Sequence, residues 1–474
     1  MQRQHLLATA LFIAGIGPAQ AADAHGLNGA TLTWPWALPF AGILLSIASG
    51  PLLFPKIWHG HYDKFAAAWA MLTLIPIAIV QGVLVSWESF VHAMLAEYMS
   101  FILLLLALYT TAGGILVRGR VGGTPASNTA VLAFGTAIAS IVGTTGAAMI
   151  LIRPLIRANA GRARKAHVMV FFIILVANVG GALSPLGDPP LFIGFLQGVS
   201  FFWTTKALLL QTALIALIVL AMFFAVDSIL HSKDAEAASV KDAPLSMHGS
   251  INLLLIALVI VAILISATWQ PGIAFNVFGT KVELQNLARD LAFVVIALVS
   301  LKVTVKEWRE ANSFTWEPIR EVAILFAGIF TAIIPVLAML QAGKDGAFAW
   351  LLAVVTAGDG MPHEAAYFWL TGGLSAFLDN APTYLVFFQL AGGNPEQLMG
   401  PLAGTLASIS MGAVYMGALT YIGNAPNFMV YAIANEAGVR MPNFFGYLFW
   451  AALILLPLFV LLTLLPVAPI LKFV

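Results

Sequence analysis

Along the chain, long apolar stretches alternate with short polar ones. At about 20 residues per crossing, the pattern predicts membrane spans at 36–54, 65–85, 97–117, 168–198, 207–230, 250–268, 290–302, 319–342, 400–436 and 443–472. Two further stretches, 127–153 and 365–391, are apolar but interrupted midway by a polar cluster. They are too long for one crossing and too short for two, and they read as re-entrant hairpins, which membranes tolerate only where protein or water covers the open backbone. Residues 1–21 combine Arg3, an apolar run and Ala19-Gln20-Ala21, a signal peptide pattern or else an uncleaved first span. The polar stretch 231–250 reads as a cytoplasmic linker between a first half, 22–230, and a second half, 251–474.

Lys and Arg test this map, because cytoplasmic loops should carry the excess. With residue 22 outside, 16 basic residues fall inside and 5 outside, Arg3 set aside. The expected protein is therefore an all-α polytopic membrane protein with about 10–11 transmembrane helices, of the bacterial inner-membrane type. Composition agrees: 61% of the 474 residues are hydrophobic and 9% charged, against about 25% charged in soluble domains. A formal charge of +1 gives nucleic acid no basic face, and the absence of cysteine removes disulfides and thiolate chemistry. No phosphate-binding G-x-x-x-x-G-K-[ST] loop occurs, so energy must come from ion gradients or another subunit, and a secondary transporter is expected rather than an enzyme.

The hairpin interruptions are Gly143-Thr144-Thr145-Gly146 and Leu378-Asp379-Asn380-Ala381-Pro382-Thr383. Each precedes a long span that is itself broken, by Ser184-Pro185-Leu186-Gly187-Asp188-Pro189-Pro190 and by Thr420-Tyr421-Ile422-Gly423-Asn424-Ala425-Pro426. Thr144 pairs with Asp379 at an offset of 235, and Gly187 with Gly423 at 236. Five predicted crossings separate the hairpins, so the second copy is inverted. Inverted repeats with broken helices point to a secondary transporter whose site lies where the breaks meet.

Carboxylates at membrane depth are expensive, about 2.5 to 3.5 kcal/mol on insertion scales, which makes Asp188 and Asp379 the leading candidates. An ionised carboxylate binds Na⁺ or Li⁺, a neutral one holds a proton, and that exclusion is the minimum needed for exchange. Thr144, Thr145, Ser184, Asn380, Thr383, Thr420, Asn424 and Asn427 supply oxygen donors nearby. Helix capping is the alternative role of both acids. Asn178 can orient a ligand or bond a neighbouring helix. Glu97 and Glu321 begin the spans before the two hairpins and are candidates for a proton relay, or for simple interfacial solvation. The nine histidines sit near loops or span ends, with His167 and His92 as candidate pH sensors.

These segments, with Ala96-Glu97-Tyr98-Met99-Ser100 and the run Thr144 to Pro154, resemble the ion transporter superfamily, and within it the NhaD-type sodium/proton antiporters related to arsenite permeases and citrate-metal carriers. The resemblance implies a homodimer with a scaffold and a moving transport domain. It also implies that Asp188, Asp379, Asn178, Asn424 and the Thr144 region form the ion site, with Glu97 contributing. Many relatives carry an acid or Asn at the first hairpin tip, where this chain has Thr144-Thr145. The expected function is exchange of Na⁺ (or Li⁺) for H⁺ without a cofactor. The alternative is an ion-coupled carrier of an oxyanion or carboxylate, such as arsenite or citrate-metal.

Overall fold

The computed structural model describes residues 16–18, 27–120, 122–233, 243–358 and 360–464. Of the signal segment only Ile16–Pro18 falls among them, and of the linker 231–250 the part 234–242 does not. In chain order the main elements are β1 (Ile16–Pro18), α1 (Leu38–Leu53), α2 (Pro55–Val80), α3 (Val83–Ala112), β2 (Leu116–Arg120), α4 (Pro125–Val142), α5 (Thr144–Ala158), α6 (Ala166–Leu175), α7 (Pro189–Leu196) and α8 (Trp203–His231). After the linker come β3 (Ala243–His248), α9 (Ile251–Thr268), β4 (Ala274–Val277), β5 (Thr280–Glu283), α10 (Leu284–Val303), α11 (Glu317–Ala332), α12 (Ile334–Gln341), α13 (Glu364–Phe377), α14 (Asn380–Leu390), α15 (Ala403–Met416), α16 (Ala425–Glu436) and α17 (Phe444–Leu464).

The protein is all-α and polytopic, as a lipid-embedded backbone requires, since each N–H and C=O must be bonded within its own segment. Among the described residues eight helices are long and apolar enough to cross a membrane, or nine when α11 and α12, bent by 41°, count as one. The hairpin arm α4 is one of the eight, whereas α1, with 16 residues, is not.

The strands are short additions that hydropathy did not reveal. β2 pairs antiparallel with β3, which ties the linker to the turn before α4, and β4 pairs with β1 and β5.

The chain divides into two compact units. The first gathers the described parts of Met1–Ala107, Leu258–Ile296 and Trp316–Leu352. Here α2 packs on α1 and α11 through small-residue contacts, with Gly42 beneath Trp69 and Gly328 against Ile43 and Ala66. The two candidate relay acids lie in this unit. Glu97 does not begin a span: the helix runs unbroken over Val83–Ala112, and Glu97 sits inside it, buried, in a π-turn over Ala93–Tyr98. Glu321 lies in α11 and accepts a hydrogen bond of 3.0 Å from Trp58 Nε1.

The same unit buries an ion pair. Arg289 donates through Nε to Asp290 Oδ1 at 2.9 Å and through Nη2 to Ser100 Oγ at 2.7 Å, while Ser100 Oγ donates to Asp290 Oδ2 at 2.6 Å. Removing one partner of a buried pair strands the other charge, at about 3–5 kcal/mol. Asp290→Asn is therefore expected to lower the melting temperature sharply in a thermal-shift measurement, while the double change Arg289→Met with Asp290→Leu recovers most of the loss.

The second unit gathers Leu108–Ala257, Ala297–Thr315 and the described part of Ala353–Val474. It contains both hairpins and both broken helices. α4 and α5 double back at Gly143, so that Asn128 near the start meets Asn159 just past the end. α13 and α14 double back likewise, with Tyr367 near the start of α13 donating to the Leu390 carbonyl at the end of α14. One broken helix is α6, a 3₁₀ turn over Val179–Leu183, and α7; the other is α15, a 3₁₀ turn over Gly417–Leu419, and α16.

Candidate functional site

Each break is written in the local sequence. Pro189-Pro190 and Pro426 occupy the first turn of α7 and α16, where proline's fixed φ suits a helix start and its missing N–H is not needed. Such prolines forbid the helix from continuing backward. The N-cap residue of each helix, Asp188 directly before Pro189 and Asn424 two residues before Pro426, is extended, with φ/ψ of −140°/141° and −154°/138°. At the first hairpin tip Gly143 has φ 80° and ψ 150°, a region essentially reserved for glycine.

The structure sharpens the repeat. The helix-capping residues Gly143 and Asp379, the first helical residues Thr144 and Asn380, and the breaks Asp188 and Asn424 are each 236 apart. Asp379 thus corresponds to Gly143, and Thr144 to Asn380, instead of Thr144 to Asp379. Each repeat contributes one acid, but at non-equivalent places. Asp188 caps a broken helix in the first, and Asp379 caps a hairpin helix in the second.

The four helix starts meet at Asp188, which is 1% exposed. Its Oδ1 accepts from Asn424 Nδ2 at 2.8 Å and from Thr144 Oγ1 at 3.2 Å, and its Oδ2 accepts from Asn380 Nδ2 at 2.7 Å. Because an ionised carboxylate only accepts, these contacts fix the Asn380 amide with Nδ2 toward Asp188. Asn380 Oδ1 then faces elsewhere, buried, and is a polar atom without a hydrogen-bond partner among the described residues. The N-termini of α5, α7, α14 and α16 add partial positive charge to this point, which offsets part of the cost of a buried carboxylate.

The other expected ligands divide by what they touch. Asn178 does not reach Asp188. Its Oδ1 accepts from Asn424 at 3.2 Å and its Nδ2 donates to Asn427 Oδ1 at 2.7 Å, while Asn427 in turn donates to the carbonyls of Gly417 and Thr420. The three amides form a relay that orients Asn424. Ser184 and Thr420, also 236 apart, bond the carbonyls of Ser140 and Ala376 in the first arm of their own hairpins. They brace hairpin to break. Thr383 donates to the Asp379 carbonyl at 2.9 Å, an ordinary helical back-bond. Thr145 is part-exposed on the first turn of α5. Asp379 is part-exposed and accepts from its own helix at Ala381 N, at 3.0 Å. Glu97 and Glu321 are not in this unit.

Sequence reading missed Ser140 and Ser375, which bond the carbonyls of Gly180 and Ala413 at 2.6 Å each. They are 235 apart, one short of the repeat offset, so the offset alone does not pair them. Among the described residues no group of three or more His, Asp or Glu gathers as a metal site.

Residues 29–467 match the family described as "Putative citrate transport". Uncharacterized transporters of Mycobacterium bovis and Mycobacterium tuberculosis are each 23% identical over 275 residues, covering 56% of this chain and 59% of the relative. The chain thus spans about three fifths of the length of the curated relatives it matches.

Proposed function

The chain belongs to the family described as putative citrate transport, and on that premise we propose that it is a secondary active transporter exchanging Na⁺ (or Li⁺) for H⁺ at Asp188, as in the NhaD-type antiporters its motifs resemble. The observation that carries this reading is the pairing of a buried carboxylate with a buried orphan acceptor, Asn380 Oδ1. An anion site would leave N–H or O–H donors waiting. Here the atom left waiting is an oxygen, Asn380 Oδ1, beside the carboxylate, and oxygen ligands are what a hard cation requires.

The chemistry follows from the amide. With Asp188 ionised, Asn380 donates to it and a cation occupies the remaining acceptor sites. When Asp188 Oδ2 takes up a proton it must donate, and a half-turn of the Asn380 amide presents Oδ1 to receive that hydrogen. One carboxylate thereby serves cation and proton in turn, and Asp379 adds a second negative charge that favours the cation-loaded state. The 16 to 5 split of basic residues supports residue 22 outside in a bacterial-type inner membrane. The resemblance supports a homodimer.

A second reading has an observation of its own. Four convergent helix N-termini also suit a carboxylate substrate, as does the family's description. Purified chain in proteoliposomes with an internal pH dye separates the two. Na⁺ or Li⁺ gradients are expected to move protons, and Asn380→Ala to raise the half-saturating Na⁺ at least about tenfold, the worth of about 1.4 kcal/mol. If citrate, alone or with a divalent metal, drives flux while Na⁺ and Li⁺ move no protons, the carrier reading replaces exchange.

A further inference from the structure

A second buried charged cluster lies in the same unit, away from Asp188, and transport chemistry does not use it. Asp227 on α8 is fully buried, and three groups share its carboxylate. Arg162 Nη2 lies 2.5 Å and His167 Nε2 2.8 Å from Oδ1, and Asn128 Nδ2 donates to Oδ2 at 2.9 Å. Asn128 and Asn159 exchange amide hydrogen bonds in both directions at 2.9 Å, and Arg162 Nη1 donates to Asn159 Oδ1 at 3.2 Å and to the Gly123 carbonyl at 3.3 Å.

Asn128 stands in the first turn of α4, while Asn159 and Arg162 follow the end of α5. The two feet of the first hairpin are therefore closed on one carboxylate, and that carboxylate is reached from solvent by a single titratable ring. The His167 side chain is 14% exposed, against 0% for Asp227.

The repeat shows that the fold does not demand this arrangement. At 236 residues further on, the counterparts of Asn128, Asn159, Arg162, His167 and Asp227 are Glu364, Pro395, Leu398, Ala403 and Thr463. Among the described residues no buried ion pair closes the feet of the second hairpin. A feature present in only one of two matched copies is an addition to the shared architecture.

We propose that His167 is a proton-binding regulatory site that sets how tightly the feet of the first hairpin are held. In the neutral ring Nε2 carries the hydrogen facing Asp227. Protonation adds a hydrogen from water at Nδ1, and the ring becomes a cation against a carboxylate that Arg162 keeps ionised. The attraction rises without any change of partner. The sign is fixed: the latch is tight while the ring is a cation and looser while it is neutral. The ionisable groups on the elements packed around the pair are Arg162, Arg164 and Lys165 before α6, Lys206, Asp227 and His231 on α8, Tyr415 on α15, Tyr431 and Glu436 on α16, and Tyr447 on α17; α4 contributes none. Of these, Arg162 shares Asp227 with His167.

Hydrogen–deuterium exchange on the full chain in detergent tests this directly, at about pH 5.5 and about pH 8. After correction for intrinsic chemical rates, peptides covering residues 123–130 and 157–164 are expected to exchange at least about threefold faster at the higher pH. His167→Gln is expected to show the fast value at both pH values, and His167→Lys the slow value at both. If the wild-type step persists in His167→Gln, or is missing from the wild type, the proposal falls. The exchange reads the latch whatever ion the chain carries, so its failure and that of the transport reading are separable.

Discussion

Proteoliposomes carrying Asp188→Asn are expected to show less than about a hundredth of the wild-type Na⁺-driven proton flux, with the protein still folded. The argument lies in what an amide does among three donors. Asp188 accepts from Thr144, Asn380 and Asn424, and charge-assisted bonds of this kind are each worth about 1.5–3 kcal/mol. Asparagine keeps one oxygen for Thr144 and Asn424 and turns its NH₂ toward Asn380, whose orphan Oδ1 can rotate in to accept it. The variant thus imitates the protonated carboxyl and holds the site in that state. Stability is expected to fall by about 1–3 kcal/mol, because Thr144 and Asn424 keep an acceptor while the turned Asn380 amide carries its Nδ2 to the place where Oδ1 had no partner. Asp188→Leu has no such escape. It takes the acceptor from the buried Thr144 and Asn380 donors, at about 1–3 kcal/mol each, while Asn424 keeps Asn178 and the Ala177 carbonyl, and it is expected to be recovered in far lower yield. Equal flux in wild type and Asp188→Asn would remove Asp188 from the transport cycle.

Gly187→Ala is expected to cost at least about 3 kcal/mol. A Cβ on Gly187 would stand 2.1 Å from the Gly181 carbonyl oxygen and 2.7 Å from its carbon, and both are backbone atoms that no rotamer can move. Its counterpart Gly423 would meet Gly417 O at 2.6 Å and Ser375 O at 2.7 Å, so Gly423→Ala should follow the same course less severely. Gly373, inside α13, has nothing within 4 Å of such a Cβ. There alanine is expected to be neutral or to stabilise by up to about 1 kcal/mol through helix propensity. Thermal unfolding of the three variants side by side checks the ranking; indifference at Gly187 would mean that the break is looser than described.

Why the site was readable, and other parts were not, follows from how each is encoded. A broken helix needs residues that local physics already singles out. Pro189-Pro190 and Pro426 bar continuation, Gly187 and Gly423 permit close approach, and a carboxylate in apolar surroundings stands out on cost alone. Two such breaks at one offset identified the repeat and brought Asp188, Asn380, Asn424 and Thr144 forward together. The offset at the hairpin tip was wrong by one because it was matched by polarity, Thr144 to Asp379, whereas the backbone aligns cap with cap. Glu97 was misplaced for a related reason: Ser86, Glu88, Ser89 and His92 interrupt the apolar pattern without interrupting the helix, and a π-turn shifts its face midway. Of the Asp227 cluster the sequence marked only His167, as a candidate pH sensor, since Asn128, Asn159 and Arg162 are scattered and have no counterpart in the second repeat. Their meaning is tertiary only. Family membership is in keeping with this division: it gives a family described as putative citrate transport, and the proposed chemistry of the cargo rests on the site.

The contacts of Asp188 also set an order of events during synthesis. Thr144 precedes it in the chain, but Asn380 and Asn424 follow 192 and 236 residues later. At about 5–20 residues per second, the ribosome takes about 10 to 50 s to deliver them. Throughout that interval the first half must keep a carboxylate that lacks two of its three eventual donors, and water is the only substitute that can reach it. The nascent first half is therefore obliged to stay hydrated and open at this point. It closes only when the last broken helix has entered the membrane, and a chain truncated before Asn424 would be left displaying an unfinished polar breach to the cell's membrane proteases.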